Sequence, residues 1–144
     1  MASTASDILA DLAETLRSSG IFAQVTVGQG GSSTAVPRAS VLLEGAEDFT
    51  PDDAHDQRWV RLRSRVAIRT RNQDSAAGVA RANDLCASAA AALMADPHRG
   101  GRCQVLPIGR ATEVGRCDLS VSLHRPEVEM SFGVRNHYVI GEGS

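Results

Sequence analysis

Between Arg58 and Arg71 the chain reads R-W-V-R-L-R-S-R-V-A-I-R-T-R, and no other stretch limits its fold so tightly. Val60, Leu62, Ser64, Val66 and Ile68 fall on one side of a period of two, with Arg61, Arg63, Arg65, Ala67, Arg69 and Arg71 on the other. Only an extended strand sends successive side chains to opposite faces. This segment is therefore a β-strand with one face against a core. The five guanidinium groups on its other face cannot be buried unpaired, because an isolated charge is expensive to remove from water. They must meet water, nucleic acid or carboxylates. A sheet that is apolar on one face needs other elements to cover it.

Two helical patterns supply the cover. From Thr4 to Ser19, Ile8, Leu9, Leu12 and Leu16 recur at helical spacing, with Asp7, Asp11, Glu14 and Arg17 on the remaining face. Thr4 and Asp7 have capping-box spacing, Ser6 is a competing cap, and Gly20 marks the end. A second helix of about twenty residues follows the cap Asp74, is stopped by Pro97 and Gly100-Gly101, and has Val79, Ala82, Cys86, Ala89 and Leu93 as its buried stripe.

The other strand candidates are Ile21 to Val27, Pro37 to Leu43, Cys103 to Ile108, Cys117 to Leu123 and Glu127 to Ile140. Gly28 to Thr34 reads as a hairpin-type connection and Glu44 to Asp56, rich in carboxylates around Pro51, as an acidic surface loop. Gly109 to Asp118 fits no element and is expected to protrude. Helices and strands that do not alternate regularly imply an α+β fold, a mostly antiparallel sheet with both helices packed on one face. With 144 residues and no internal boundary, residues 1–144 are expected to form one domain. The run Leu85 to Ala95 is too short to span a bilayer, and the chain opens on no secretion signal, so a soluble, unprocessed protein is expected.

Composition narrows the chemistry. The fifteen basic residues, all Arg, stand against seventeen acidic ones, a balance unlike that of a protein built to grip nucleic acid. The arginine strand also lacks interleaved aromatics on which bases could stack, with only Trp59 nearby. Three cysteines without a C-x-x-C pair suit a reducing compartment. His98, Cys103, Cys117 and His124 are the one loose group of zinc-type ligands, but four, thirteen and six residues intervene between them, unlike the close pairs of structural zinc sites. Asp52, Asp53 and Asp56 offer oxygen ligands for Ca²⁺ without the spacing of an EF-hand loop. Cys86 with His55, His98, His124 or His137 is a nucleophile pairing on paper only, since Cys86 lies on an apolar helix stripe where burial raises a thiol pKa. The G-Q-G-G of Gly28 to Gly31 lacks the Lys and the following helix of a phosphate loop. No catalytic, cofactor or metal site is expected, and no enzyme. What remains is complementary charge: the basic strand, with Arg61, Arg63, Arg65 and Arg69, and the acidic segment, with Glu47, Asp48, Asp52 and Asp53, are the candidate interface between copies of the chain or with a partner.

Taken in order, several phrases resemble one family. An opening helix ending in LRSSGIFAQV, the strand PRASVLL, an acidic loop and the basic strand RWVRLRSRVAIRTRNQD are followed by AGVARANDLCASAAAALMADP, the turn HRGGRCQVLPIG and the last strand EVEMSFGVRNHY. This layout, covering nearly the whole chain, resembles the tail terminator or tail-completion proteins of long-tailed bacteriophages and prophage-like elements. The resemblance implies a virion structural protein assembled in the host bacterial cytoplasm and located at the tail-neck junction. There a homo-hexameric ring would cap the tail tube protein, stop its polymerisation and offer a surface to the head-tail connector or neck protein. It implies no membrane, no sequence-specific nucleic acid and no cofactor. A head-tail joining or other neck protein is the nearest alternative. A small cytoplasmic ligand-binding domain or enzyme is a more distant one.

Overall fold

The computed structural model describes residues 5–28, 35–49, 58–71, 75–103, 111–121 and 127–140. In chain order they form α1 (Ala5–Ser18), β1 (Gln24–Val27), β2 (Arg38–Phe49), β3 (Arg58–Arg71), α2 (Ser75–Met94), β4 (Thr112–Val121) and β5 (Glu127–Ile140). The five strands make one sheet in the order β1-β2-β3-β5-β4, so the alternating strand β3 lies at its centre.

β3 pairs antiparallel along its whole length with β5, from Arg58 opposite Ile140 to Arg71 opposite Glu127. On one face this register stacks Val60, Leu62, Val66 and Ile68 beside Tyr138, Asn136, Phe132 and Met130. Ala39 and Val41 of β2 extend the same face. Both helices cover it. α1 lies over β1 and β2, α2 over β3, β5 and β4, and the helices touch each other. Ile8, Leu9, Leu12, Ala13 and Leu16 of α1 meet Ala82, Leu85, Cys86, Ala89 and Leu93 of α2 in a single core. Val79, expected in the stripe of α2, is half-buried, and Leu85 is buried instead. The fold is α+β with a mostly antiparallel sheet. α1 stops where expected: Gly20 takes φ +73°, the left-handed region that closes helices.

Four expectations need correction. β1 and β2 do not form a hairpin; they pair in parallel, Gln24 opposite Arg38, with Thr26 and Ser40 hydroxyls 3.1 Å apart. The acidic stretch from Glu44 is not all loop, because β2 runs on to Phe49. A bulge between Leu43 and Gly45 leaves Glu44 as an extra residue and resets the register, so that Gly45 to Phe49 pair with Arg63 to Trp59. Likewise Thr112 to Asp118 belong to β4, whose register slips between Val114 and Cys117, so this part of the unassigned stretch is strand and does not protrude. Cys103 ends a turn and does not open a strand. Thr4, Asp52, Asp53, His55, Asp56, Asp74 and His124 lie outside the described residues, as do 104–110.

Candidate functional site: the charged face of the sheet

The face of the sheet away from the helices carries the alternate residues of β3, and the register decides what each arginine meets. Arg69 lies opposite Glu129 on β5 and forks onto its carboxylate, with Nε 3.1 Å from Oε2. Arg65 lies opposite Gly133, which puts no side chain in its way. Its guanidinium reaches in both directions: Nε donates to Glu44 Oε2 at 3.0 Å, and Nη1 donates to Asp118 Oδ2 at 3.0 Å and to Ser131 Oγ at 2.7 Å. One side chain thus ties the bulge of β2 to β5 and β4. Glu44 and then Asp118 push the Arg65 pKa above its ordinary value, so the cation is held more firmly than a free one.

Arg63 reaches Glu47 at 3.6 Å and Arg58 reaches Asp48 at 2.9 Å, each pair at least half exposed. The Arg63 guanidinium lies over Gly45, so close that a Cβ there would come within 2.9 Å of its nitrogen. Glu127, nearly buried, sits between Arg38 at 3.8 Å and Arg71 at 3.7 Å. Arg135 of β5 pairs with Glu113 of β4 at 3.0 Å. Arg61 Nε donates to Nε2 of His137, a ring only 1% exposed. The carboxylates that meet the arginine stripe therefore come from the same chain, from β2, β4 and β5. Of the expected interface residues, Arg63 and Glu47 are brought together, Arg65 and Arg69 take other partners, and Asp48 takes Arg58.

A second charged cluster had no signal in the sequence. Arg99 is completely buried behind the end of α2, with φ +49°. Its guanidinium donates to the carbonyls of Leu93 at 2.7 Å and Asp96 at 2.8 Å and to Thr15 Oγ1 at 3.0 Å, and lies 3.3 Å from Asp11 Oδ2. A cation at the carbonyl end of a helix satisfies groups that lack helical partners and opposes the negative end of the helix dipole. Arg99 thereby fastens α1 to α2. Beside it Asn136 donates to Thr112 Oγ1, which donates to the carbonyl of Pro97, both at 2.7 Å.

The cysteines differ in chemistry. Burial pushes the Cys86 and Cys103 thiols up to about 12, where they are not nucleophiles at neutral pH, whereas Cys117 is exposed on β4. His98 uses Nδ1 on the carbonyl of Cys103, 3.2 Å away. Among the described residues no three His, Cys, Asp or Glu side chains are grouped to hold a metal ion, and no helix is long and apolar enough to cross a membrane.

No family model and no curated protein sequence matches the chain. Among solved structures, a chain in the virion of a native gene transfer agent particle shares the fold with a TM-score of 0.51, at 13% identity over 91% of this chain and 93% of that one. The type 4 fimbrial biogenesis protein PilO from Pseudomonas aeruginosa is 11% identical over 92% of this chain and 67% of its own, with a TM-score of 0.38.

Proposed function

We propose that this chain is a structural protein of a tailed virion or virion-like particle, and that it forms a ring closing the end of the tail tube. The observation that carries the reading is the shared fold with the gene transfer agent virion chain, which extends over 91% of this chain and 93% of that one. The layout resemblance to tail terminators points to the same kind of particle and supplies the station within it. In this reading the chain works by binding, to copies of itself, to the tube and to the neck, and carries out no catalysis.

A ring needs a heterologous interface, in which one surface of each copy meets a different surface of the next. The pair Arg63 and Glu47, half exposed at 3.6 Å, is the part of the stripe freest to exchange partners between copies. Arg65 is held by partners on three strands and Arg69 by Glu129 of β5, and both contribute to the shape of the face. Exposed pairs are worth only about 0 to 1 kcal/mol each, so apolar contacts must supply most of the binding.

Gold labelling of a tagged chain in purified particles tests the assignment. The label is expected at the junction of tail and head, in a ring of six copies. Label along the tube or over the capsid, or its absence from particles, would overturn it.

A further inference from the structure

Among the described residues, every arginine except Arg81 has an ion-pair, hydrogen-bond or other electrostatic partner, and so has every carboxylate except Asp84. These two exposed side chains lie three residues apart on the outer side of α2, away from the stripe of Ala82, Cys86, Ala89 and Leu93 that faces the sheet. A shallow groove of about 350 Å³ runs between them along the helix, lined by Ala77, Ala80, Arg81, Asp84, Leu85 and Ser88.

The residues along this groove are arranged symmetrically about a point midway between Arg81 and Asp84. A twofold axis through that point brings Ala77 opposite Ser88, Ala80 opposite Leu85 and Arg81 opposite Asp84. We propose that the outer face of α2 docks antiparallel on the same face of a second copy, with Arg81 paired to the partner's Asp84 and Asp84 to the partner's Arg81. A twofold contact must be self-complementary, because the same patch serves both sides. Here the symmetry turns the two unmatched charges into two ion pairs at the centre, while the small Ala77, Ala80 and Ser88 flank them beside the buried Leu85 and let the helix axes approach to about 8–10 Å. A parallel arrangement would set Arg81 against the partner's Arg81 and gain nothing. The contact goes beyond the ring reading, since it joins copies through a twofold on the helix layer, and its failure would leave that reading untouched.

Sedimentation equilibrium of the purified chain tests the pairing. The wild type is expected to dimerise with concentration. Arg81→Asp and Asp84→Arg are each expected to weaken the dimer by about tenfold or more, since each sets like charges face to face. The double variant R81D/D84R is expected to dimerise again, and an equimolar mixture of the two single variants to form a heterodimer that neither makes alone. Restoration in both arms also shows that the variants are folded. A wild type that stays monomeric, single variants that dimerise as well as the wild type, or a mixture that stays monomeric would each overturn the proposal. So would a foreign helix found on this face of a monomeric wild type.

Discussion

Arg99 shows how far a single side chain can hold two elements together. Its guanidinium is wholly buried, donates to carbonyls at the end of α2 and to Thr15 of α1, and pairs by charge with Asp11. Removing Arg99 leaves carbonyls without donors and takes from the Asp11 carboxylate one of its two arginines, Arg102 at 3.5 Å being the other. Arg99→Met is expected to cost about 2–4 kcal/mol in urea unfolding, with Arg99→Lys recovering only part, because an ammonium cannot reach partners spread across a planar fork. A cost below about 1 kcal/mol would show that the cluster is incidental. The stripe behaves differently: Arg65→Ala should cost about 1 kcal/mol and Arg63→Ala less than about 0.5 kcal/mol, since the second loses one exposed pair and the first three partners. The thiols give a pH prediction. Cys86 and Cys103 stay protonated in the fold up to about 12, while in the unfolded chain they ionise near the ordinary value of 9.0, so the native state binds more protons in between. Stability must then fall as pH rises from 9 towards 12, and fall less steeply in Cys86→Ala. At neutral pH a thiol reagent should modify Cys117 alone until the protein is unfolded. At this scale the sequence was least informative. Arg99 sits in H-R-G-G, which reads as a turn, and nothing in that string says that its arginine points inward.

Elements were legible where one period ran unbroken. β3 was visible from Arg58 to Arg71 and α1 from its leucines, because burial on one face imposes the alternation or the helical repeat directly. β2 was legible only up to Leu43 and β4 only from Cys117, because a register shift hides the rest of each. An extra residue at Glu44, and the slip between Val114 and Cys117, shift each strand's alternation partway along, so no single period describes either. The acidic residues after Leu43 looked like a solvated loop because the arginines that neutralise them lie on another strand. The parallel pairing of β1 with β2 could not be read from a Gly-rich connection at all. Hydrogen exchange should follow the same architecture, slowest in β3 and β5, which are paired on both sides, and fastest in the four-residue edge strand β1. Phe132, fully buried at the centre of β5, is the packing counterpart: Phe132→Ala is expected to cost about 3–5 kcal/mol, a large share of a domain's stability.

On the scale of the whole molecule, the sheet separates two surfaces of different kind. Its helix side is a closed apolar core, and its open side is a field of ion pairs in which neither sign is left in large excess. Charge summed along the sequence suggested a positive face and a separate negative loop. The fold brings part of that loop, Glu44 to Asp48, alongside the positive face, so the two largely cancel within one chain. Long-range steering by this face should therefore be weak, and binding to copies or partners should depend on shape and on short-range exchange of pairs. The most direct test of a tube-closing role is the distribution of tail lengths in particles made without this chain. If the chain stops tube growth, its deletion should yield over-long tails of widely varying length detached from heads, and supplying the chain in trans should restore one length and joined particles. Tails of normal, uniform length in the deletion would contradict the account.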